Sequence, residues 1–188
     1  PDSVQGRWID KLLKGKSEII FDDDDANECA DIVEIAWNDL DIVCKLYHCK
    51  YSHGDVPGRR VSDVQEVCAQ ATRSAKWATS PESLISHLQL REAPERRAGR
   101  PTRFERGGPS DLSKLKRLAS KRRFCLHIYV VQPGLLVEQI DRNISLVLGA
   151  SDNFIHELTG YPLTVVGSRR SDQQPGPMGG NDYPPPKI

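Results

Sequence analysis

The sequence lacks the features that would place it in a membrane or in an oxidising compartment. No apolar run approaches the roughly 20 residues that are needed to span a bilayer. The five cysteines are odd in number, and they form neither a CxxC pair nor another metal-ligand spacing. We therefore expect no membrane association, a cytoplasmic location, and cysteines that stay reduced and pack in the core.

Methionine is also scarce, which bears on how much of a protein the chain represents. The one methionine is Met178, and the chain begins with Pro1, so we expect it to be part of a longer protein. Its 188 residues are enough for one domain with a full core but not for two. The Pro- and Gly-rich segment 169–188 has little to bury, and we expect a flexible tail there. The single domain therefore covers residues 1–168.

The formal net charge is zero, but the charges are unevenly distributed. Acidic residues dominate positions 18–41, and basic residues dominate positions 91–123. Clustered Arg and Lys favour polyanion binding because they release counterions from phosphates, although a charged stretch can also be a merely solvated surface. We predict that DNA contacts the basic stretch, through Arg96, Arg97, Arg100, Arg103, Arg106, Lys116, Arg117, Lys121, Arg122 and Arg123.

The central stretch, residues 30–51, predicts two strands joined by a tight turn. Two β-branched, apolar runs flank Asn38 and Asp39, which tolerate turn conformations. A hairpin centred on that turn brings Asp31 close to His48 and Lys50. A carboxylate, an imidazole and an ammonium group would then meet at one end of the sheet, where they could hold a metal ion and a phosphate.

The other elements follow from apolar periodicity and from turn residues. We expect a polar loop over 91–109, and we expect Pro133 and Gly134 to end the strand before them. The predicted helices are 4–13, 63–77, 80–90, 111–123 and 142–158, the last with a break near Gly149. The predicted strands are 18–21, 30–36, 41–50, 124–132 and 163–166.

An aspartate followed by strand, turn, strand and then acid-x-Lys resembles the signature of the PD-(D/E)XK nucleases. Ala30-Asp31 resembles the family's Pro-Asp, and His48-Cys49-Lys50 resembles its Glu-x-Lys. The resemblance implies an α/β fold with a core of helix, three strands, helix and strand, in which a central mixed sheet is flanked by helices. A basic helical insertion would occupy about 80–123. The pairing of LYHCKYS with the later VQPG strand also resembles a domain at the ends of bacterial superfamily 2 helicases.

The resemblance implies a divalent ion, Mg²⁺ or Mn²⁺, held by Asp31, with Lys50 stabilising the charge that develops on the phosphate. His48 stands where the family usually has a second metal-binding carboxylate. Another acid should then supply the missing charge, and we favour Glu28. The further candidates that the resemblance implies are Asp10 and the backbone carbonyl of Cys49 as metal ligands and Gln65 beside the site.

Three functions remain open at this point. The first is metal-dependent hydrolysis of DNA, by the nuclease module of a larger helicase-nuclease in phage defence or DNA repair, with the helicase domain in the same polypeptide. The second is a catalytically decayed nuclease fold that binds DNA for the helicase. The third is a protein-docking domain. His48 is the pivotal residue, since it could be a metal ligand, a base or a packed core histidine.

Overall fold

The computed structural model describes residues 3–50, 60–94, 97, 99–136, 138 and 140–168. The predicted tail at 169–188 and Arg96 lie outside the described residues. The helices are α1 (Val4–Leu12), α2 (Val61–Ser74), α3 (Pro81–Glu92), α4 (Pro109–Ala119) and α5 (Arg142–Thr159), with a 3₁₀ turn at Ala75–Thr79. The strands are β1 (Ile19–Asp22), β2 (Ile32–Trp37), β3 (Asp41–Cys49), β4 (Phe104–Arg106), β5 (Arg123–Leu136) and β6 (Thr164–Ser168).

The six strands form one mixed sheet in the order β4-β1-β2-β3-β5-β6. β1, β2 and β3 make an antiparallel meander, β5 and β6 add in parallel beside β3, and β4 lies antiparallel along the outer edge of β1. The predicted central hairpin is confirmed, because Ile32 pairs with Tyr47 and Trp37 pairs with Ile42. The predicted pairing of the later strand with β3 is confirmed as well.

Helices cover both faces of the sheet, and the alternation of the strands decides which side chains each face buries. α1 packs on one face, where Ile9 joins a small cluster with Ile20, Ile32 and Tyr47. The other four helices pack on the opposite face, over the larger core. Four of the five cysteines are buried and all five are free, as predicted.

Three local predictions are wrong. The stretch expected to be a loop contains β4, because Phe104 packs edge-on against Phe21, with ring centroids 5.1 Å apart. β5 continues through Pro133, and its pairing with β6 becomes irregular there, which accommodates a residue that has no N–H. α5 is unbroken at Gly149.

No helix in the described part of the chain is long and apolar enough to cross a membrane.

Candidate functional site

The acidic loop between β1 and β2 is folded around one buried carboxylate. Asp23 is fully buried and accepts hydrogen bonds from the backbone N–H of Cys29 at 2.8 Å and from Nε of Arg91 at 2.6 Å. Nε2 of His87 lies 2.9 Å from Oδ2 of Asp23, the oxygen that also accepts from Cys29. These three partners compensate the charge of Asp23 and explain how one carboxylate of so acidic a loop can be buried.

The loop brings three further carboxylates together at the end of the β2–β3 hairpin. Oxygen atoms of Asp24, Glu28 and Asp31 all lie within 4.8 Å of one another. Oδ2 of Asp31 accepts a hydrogen bond from the backbone N–H of Cys49 at 2.8 Å, which joins the loop to the end of β3. We call these three residues the carboxylate cluster. Two of them, Asp31 and Glu28, are predicted ligands.

Burial and mutual repulsion make the carboxylate cluster costly in its charged form. Burial, together with the nearby charges of Glu28 and Asp24, raises the pKa of Asp31 to about 7. Burial also raises the pKa of Glu28, and the charges of Asp24 and Asp23 add to this effect. A divalent cation would relieve both effects, and Mg²⁺ and Mn²⁺ prefer hard oxygen ligands of this kind. The donor set therefore fits such an ion.

Two of the other predicted residues do not join the carboxylate cluster. Asp10 is exposed on α1, and it lines a shallow depression that also includes Asp24. Gln65 is exposed on α2 and does not line the pocket beside the carboxylate cluster. The backbone of Cys49 lies at the carboxylate cluster through its N–H, which bonds Asp31.

His48 lies beside the carboxylate cluster rather than in it. Its ring is buried on the face of the sheet that packs against α2, in a pocket that Glu28 and Arg73 also line. Burial, and then the charge of Arg73, lowers the pKa of His48 to about 4. His48 has no place among the three carboxylates and therefore supplies no ligand to the carboxylate cluster. Glu28 links the two regions because it belongs to both.

Lys50 follows the last residue of β3, as predicted, and its side chain is turned toward α2. Its backbone N–H donates to the carbonyl of Val131 at 2.9 Å, which extends the pairing with β5. Its ammonium group lies 2.7 Å from Oε1 of Glu66. This ion pair fixes the direction of the lysine, and the mostly exposed Glu66 side chain leaves the pair open to solvent.

Comparisons of the chain with protein-family models, curated proteins and solved structures found no match. The chemistry of this region therefore has to be inferred from its own residues. Those residues offer a set of hard oxygen ligands, a buried neutral histidine in a separate pocket, and a lysine at the end of the neighbouring strand.

Several of the arginines that we predicted to bind DNA instead stabilise the acidic loop. The side chain of Arg103 is fully buried, and it bonds the carbonyl oxygens of Asp22 and Asp24 and the carboxylate of Asp25, at 3.2 to 3.4 Å. Arg100 forms an ion pair with Asp22 at 2.8 Å. The guanidinium of Arg103 is enclosed and its Nη atoms already bond oxygens of the acidic loop, so the prediction is wrong for Arg103.

Two other arginines of the basic stretch are engaged within the chain. Arg106 donates to the carbonyl oxygens of Leu13 and Gly15, the latter at 2.8 Å, and so closes the end of α1. Arg97 lies 3.9 Å from Glu92. These contacts indicate that Arg106 has a structural role. Reversing the charges of Arg97, Arg100 and Arg103 together would damage the loop that holds the carboxylate cluster. Such a triple variant would therefore not be a clean test of DNA contact.

The rest of the basic stretch lies at the opposite end of the sheet. Arg123 bonds Asp41, the first residue of β3, at 2.7 Å, and Arg122 lies 3.9 Å from Asp39. Eight residues of extended chain separate Asp41 from Cys49, which corresponds to about 26 Å. This part of the basic stretch therefore lies far from the carboxylate cluster. The exposed residues among the predicted DNA contacts at this end are Lys116, Arg117, Lys121 and Arg123. We call these four residues the remote basic surface.

Sequence reasoning missed Asp24 and Arg73. Asp24 stands in a run of four aspartates, and nothing in that run indicates which carboxylate faces Asp31. Arg73 lies on the predicted helix off its apolar stripe, and its position above His48 depends on how α2 packs on the sheet. The only signal for either residue was its charge.

Proposed function

We propose that this chain is a divalent-metal-dependent nuclease domain that hydrolyses phosphodiester bonds in DNA. The observation that carries the proposal is the meeting of Asp24, Glu28 and Asp31 within 4.8 Å at the end of the hairpin. Three carboxylates provide the charge and the oxygen ligands that Mg²⁺ or Mn²⁺ needs. Lys50, which directly follows β3, provides a cation at the same end of the hairpin.

The architecture supports the same proposal. α1 is followed by three antiparallel strands, by α2 and, after the inserted α3, β4 and α4, by a strand parallel to β3. This order is the one that the resemblance to PD-(D/E)XK nucleases implies. Asp31 immediately precedes β2 and Lys50 immediately follows β3, which are the two positions that the family uses for its aspartate and its lysine.

The chain's own residues would divide the chemistry among them. Asp24, Glu28 and Asp31 would hold the ion, and the N–H of Cys49 keeps the Asp31 carboxylate in place. When bound, a divalent ion supplies positive charge that polarises the scissile phosphate and lowers the pKa of the attacking water. Lys50 would donate to a phosphate oxygen and stabilise the charge that develops there.

The test is cleavage of linear and supercoiled DNA by the purified chain, with Mg²⁺ or Mn²⁺ present. Asp31→Asn and Lys50→Met should each lower the rate at least about a hundredfold, since one loses a ligand charge and the other loses the stabilising cation. Asp39→Asn is the matched control, because Asp39 is fully exposed in the turn at the opposite end of the sheet. Cleavage by Asp31→Asn at the parent rate would overturn the proposal.

The second candidate is a nuclease fold that binds DNA without cutting it. It is favoured by His48, which occupies the family's second carboxylate position in sequence and is buried away from the carboxylate cluster. Intact DNA binding with no cleavage under either metal would select this candidate. The exposed remote basic surface would then be the main contact, and replacing Lys116, Arg117 and Lys121 by Gln should reduce the salt dependence of binding.

In both cases we propose that the domain works with a helicase in the same polypeptide. The support is the parallel pairing of β3 with β5, which joins the two segments that resemble the helicase-associated domain. In a polypeptide that contains the motor, Asp31→Asn should abolish cleavage while ATP hydrolysis continues. Equal loss of both activities would contradict this division of labour.

A further inference from the structure

The pocket that contains His48 is a polar cavity with unsatisfied groups at its base. His48 is 2% exposed, and within the described part of the chain neither of its ring nitrogens has a hydrogen-bond partner. Trp77 lines the same pocket, and its buried Nε1–H also has no hydrogen-bond partner in the described part of the chain. Buried polar groups of this kind are uncommon in folded proteins and call for an explanation.

Cations stand at the rim of this pocket. Arg73 and Lys76 lie in successive turns at the end of α2 and in the 3₁₀ segment that follows, and both are exposed. The ammonium of Lys76 lies 4.8 Å from the centre of the Trp77 ring. The pocket therefore combines two cations, an indole N–H and an imidazole, and Glu28 forms its acidic side.

The wall of the pocket is held by hydrogen bonds and does not depend on a ligand for its shape. The hydroxyl of Ser74 donates to the carbonyl of Cys29 at 2.6 Å and also lies 3.1 Å from the carbonyl of Gln70. These contacts tie α2 to the acidic loop. The backbone that carries Arg73 and Lys76 is consequently fixed, which favours binding because less ordering is left to be done.

We propose that this pocket binds the terminal phosphate group of a nucleic-acid strand. A phosphate monoester carries nearly two negative charges, which Arg73 and Lys76 match, and its oxygens can accept hydrogen bonds from Trp77 and His48. The choice of a nucleic-acid strand rests on the proposed function, because the pocket adjoins the carboxylate cluster through Glu28. The enzyme would therefore act near strand ends.

The dimensions of the region agree with a terminal group. The pocket has a volume of about 100 Å³, which is the space of roughly three water molecules, and this suits one phosphate group but not a nucleoside. A second depression of about 450 Å³ adjoins it and shares Glu28, Arg73 and Lys76. The larger depression gives the terminal nucleotide room while its phosphate occupies the smaller pocket.

The test is equilibrium binding of fluorescent oligonucleotides to the full chain in EDTA, so that no cleavage occurs. The oligonucleotides share one sequence and carry a 5′-phosphate, a 3′-phosphate or no terminal phosphate, and inorganic phosphate serves as a competitor. We expect one of the two phosphorylated strands to bind about tenfold more tightly than the unphosphorylated strand. A factor of this size corresponds to the gain of one or two charge-assisted hydrogen bonds. That preference should disappear in Arg73→Gln and weaken in Trp77→Phe, which removes the indole N–H and keeps an aromatic ring.

Arg7→Gln is the matched control, because Arg7 is an exposed helical arginine on α1 and its loss should leave the preference unchanged. Equal binding of all three strands by the parent, or a preference that survives in Arg73→Gln, would overturn the proposal. Inorganic phosphate binding without any preference for a phosphorylated strand would overturn the assignment to strand ends. A terminal-phosphate preference in a chain that cleaves nothing would refute the proposed nuclease function alone, and cleavage without the preference would refute the pocket alone.

Discussion

Replacing Asp31 by Asn should stabilise the metal-free protein at high pH and leave it unchanged at low pH. In the folded protein the pKa of Asp31 is about 7, against an ordinary value of 3.8, so the folded chain keeps a proton that the unfolded chain has lost. The contribution of Asp31 to the free energy of unfolding therefore falls as the pH rises from about 4 to 7, and it stays low above that. Asn can still accept the Cys49 hydrogen bond but never becomes charged.

A pKa difference of about three pH units corresponds to roughly 4 kcal/mol. We therefore expect Asp31→Asn and the parent to be equally stable near pH 4, and the variant to be more stable by up to about 4 kcal/mol at pH 8. The melting temperature at pH 8 should differ by roughly 10 °C. Urea unfolding in EDTA across this pH range measures the difference. It includes the response of Glu28 and Asp24, whose charges interact with that of Asp31.

Metal should narrow the stability difference between the two proteins at pH 8. Mn²⁺ at a concentration of 100 times its dissociation constant would stabilise the parent by about 2.7 kcal/mol, whereas Asp31→Asn would gain much less because it lacks a ligand charge. Asp39→Asn, whose side chain is fully exposed, should behave like the parent throughout. A stability difference between Asp31→Asn and the parent that does not vary with pH would refute the reasoning about the crowded carboxylates.

Three further predictions concern stability. In the parent, the free energy of unfolding should fall by roughly 3 kcal/mol as the pH falls from 6.5 to about 4, because His48 binds a proton in the unfolded chain but stays neutral when buried. His48→Gln should remove this fall, and urea unfolding with the same pH dependence in both proteins would contradict the prediction. Arg103→Ala should cost about 2 to 3 kcal/mol in thermal unfolding, because it empties a buried site and removes the hydrogen bonds to the carbonyl oxygens of Asp22 and Asp24. Lys14→Ala at an exposed site should cost almost nothing, and similar losses in the two variants would contradict the structural role of Arg103. Gly107→Ala should lower the free energy of unfolding by about 2 kcal/mol, since residue 107 has a φ of +82° and a Cβ there would lie 2.7 Å from the carbonyl oxygen of Glu18. An unchanged melting temperature would refute this.

The central hairpin could be predicted from the sequence because it depends on neighbouring residues. Apolar, β-branched runs on both sides of Asn38 and Asp39 define two strands and their turn, and the period of two defines which side chains share a face. Placing Asp31 near the end of β3 required nothing more than this local pattern. For the same reason, the central strands of the sheet could be recognised before their order was known.

The roles of individual charged residues could not be predicted in this way. A run of four aspartates looks uniformly solvated in sequence, yet Asp23 is buried by His87 and Arg91 of α3, and Asp24 faces Asp31. Arg103 looked like a phosphate contact and is a buried partner of the acidic loop. The outcomes for Asp23 and Arg103 depend on partners more than 60 positions away in the chain, and the outcome for Asp24 depends on how the acidic loop folds, which no local pattern specifies.

The sequence by itself therefore determined an α/β chain with a strand-turn-strand centre, free core cysteines, and an aspartate and a lysine at the ends of paired strands. Local periodicity and turn chemistry are enough for these features. The tertiary structure alone decided that Asp24 joins Glu28 and Asp31, that His48 is enclosed under Arg73, and that the exposed basic surface lies at the far end of the sheet. Those features arise from the folding of the acidic loop and from packing between distant segments, where burial and the availability of a partner decide the role of each charge.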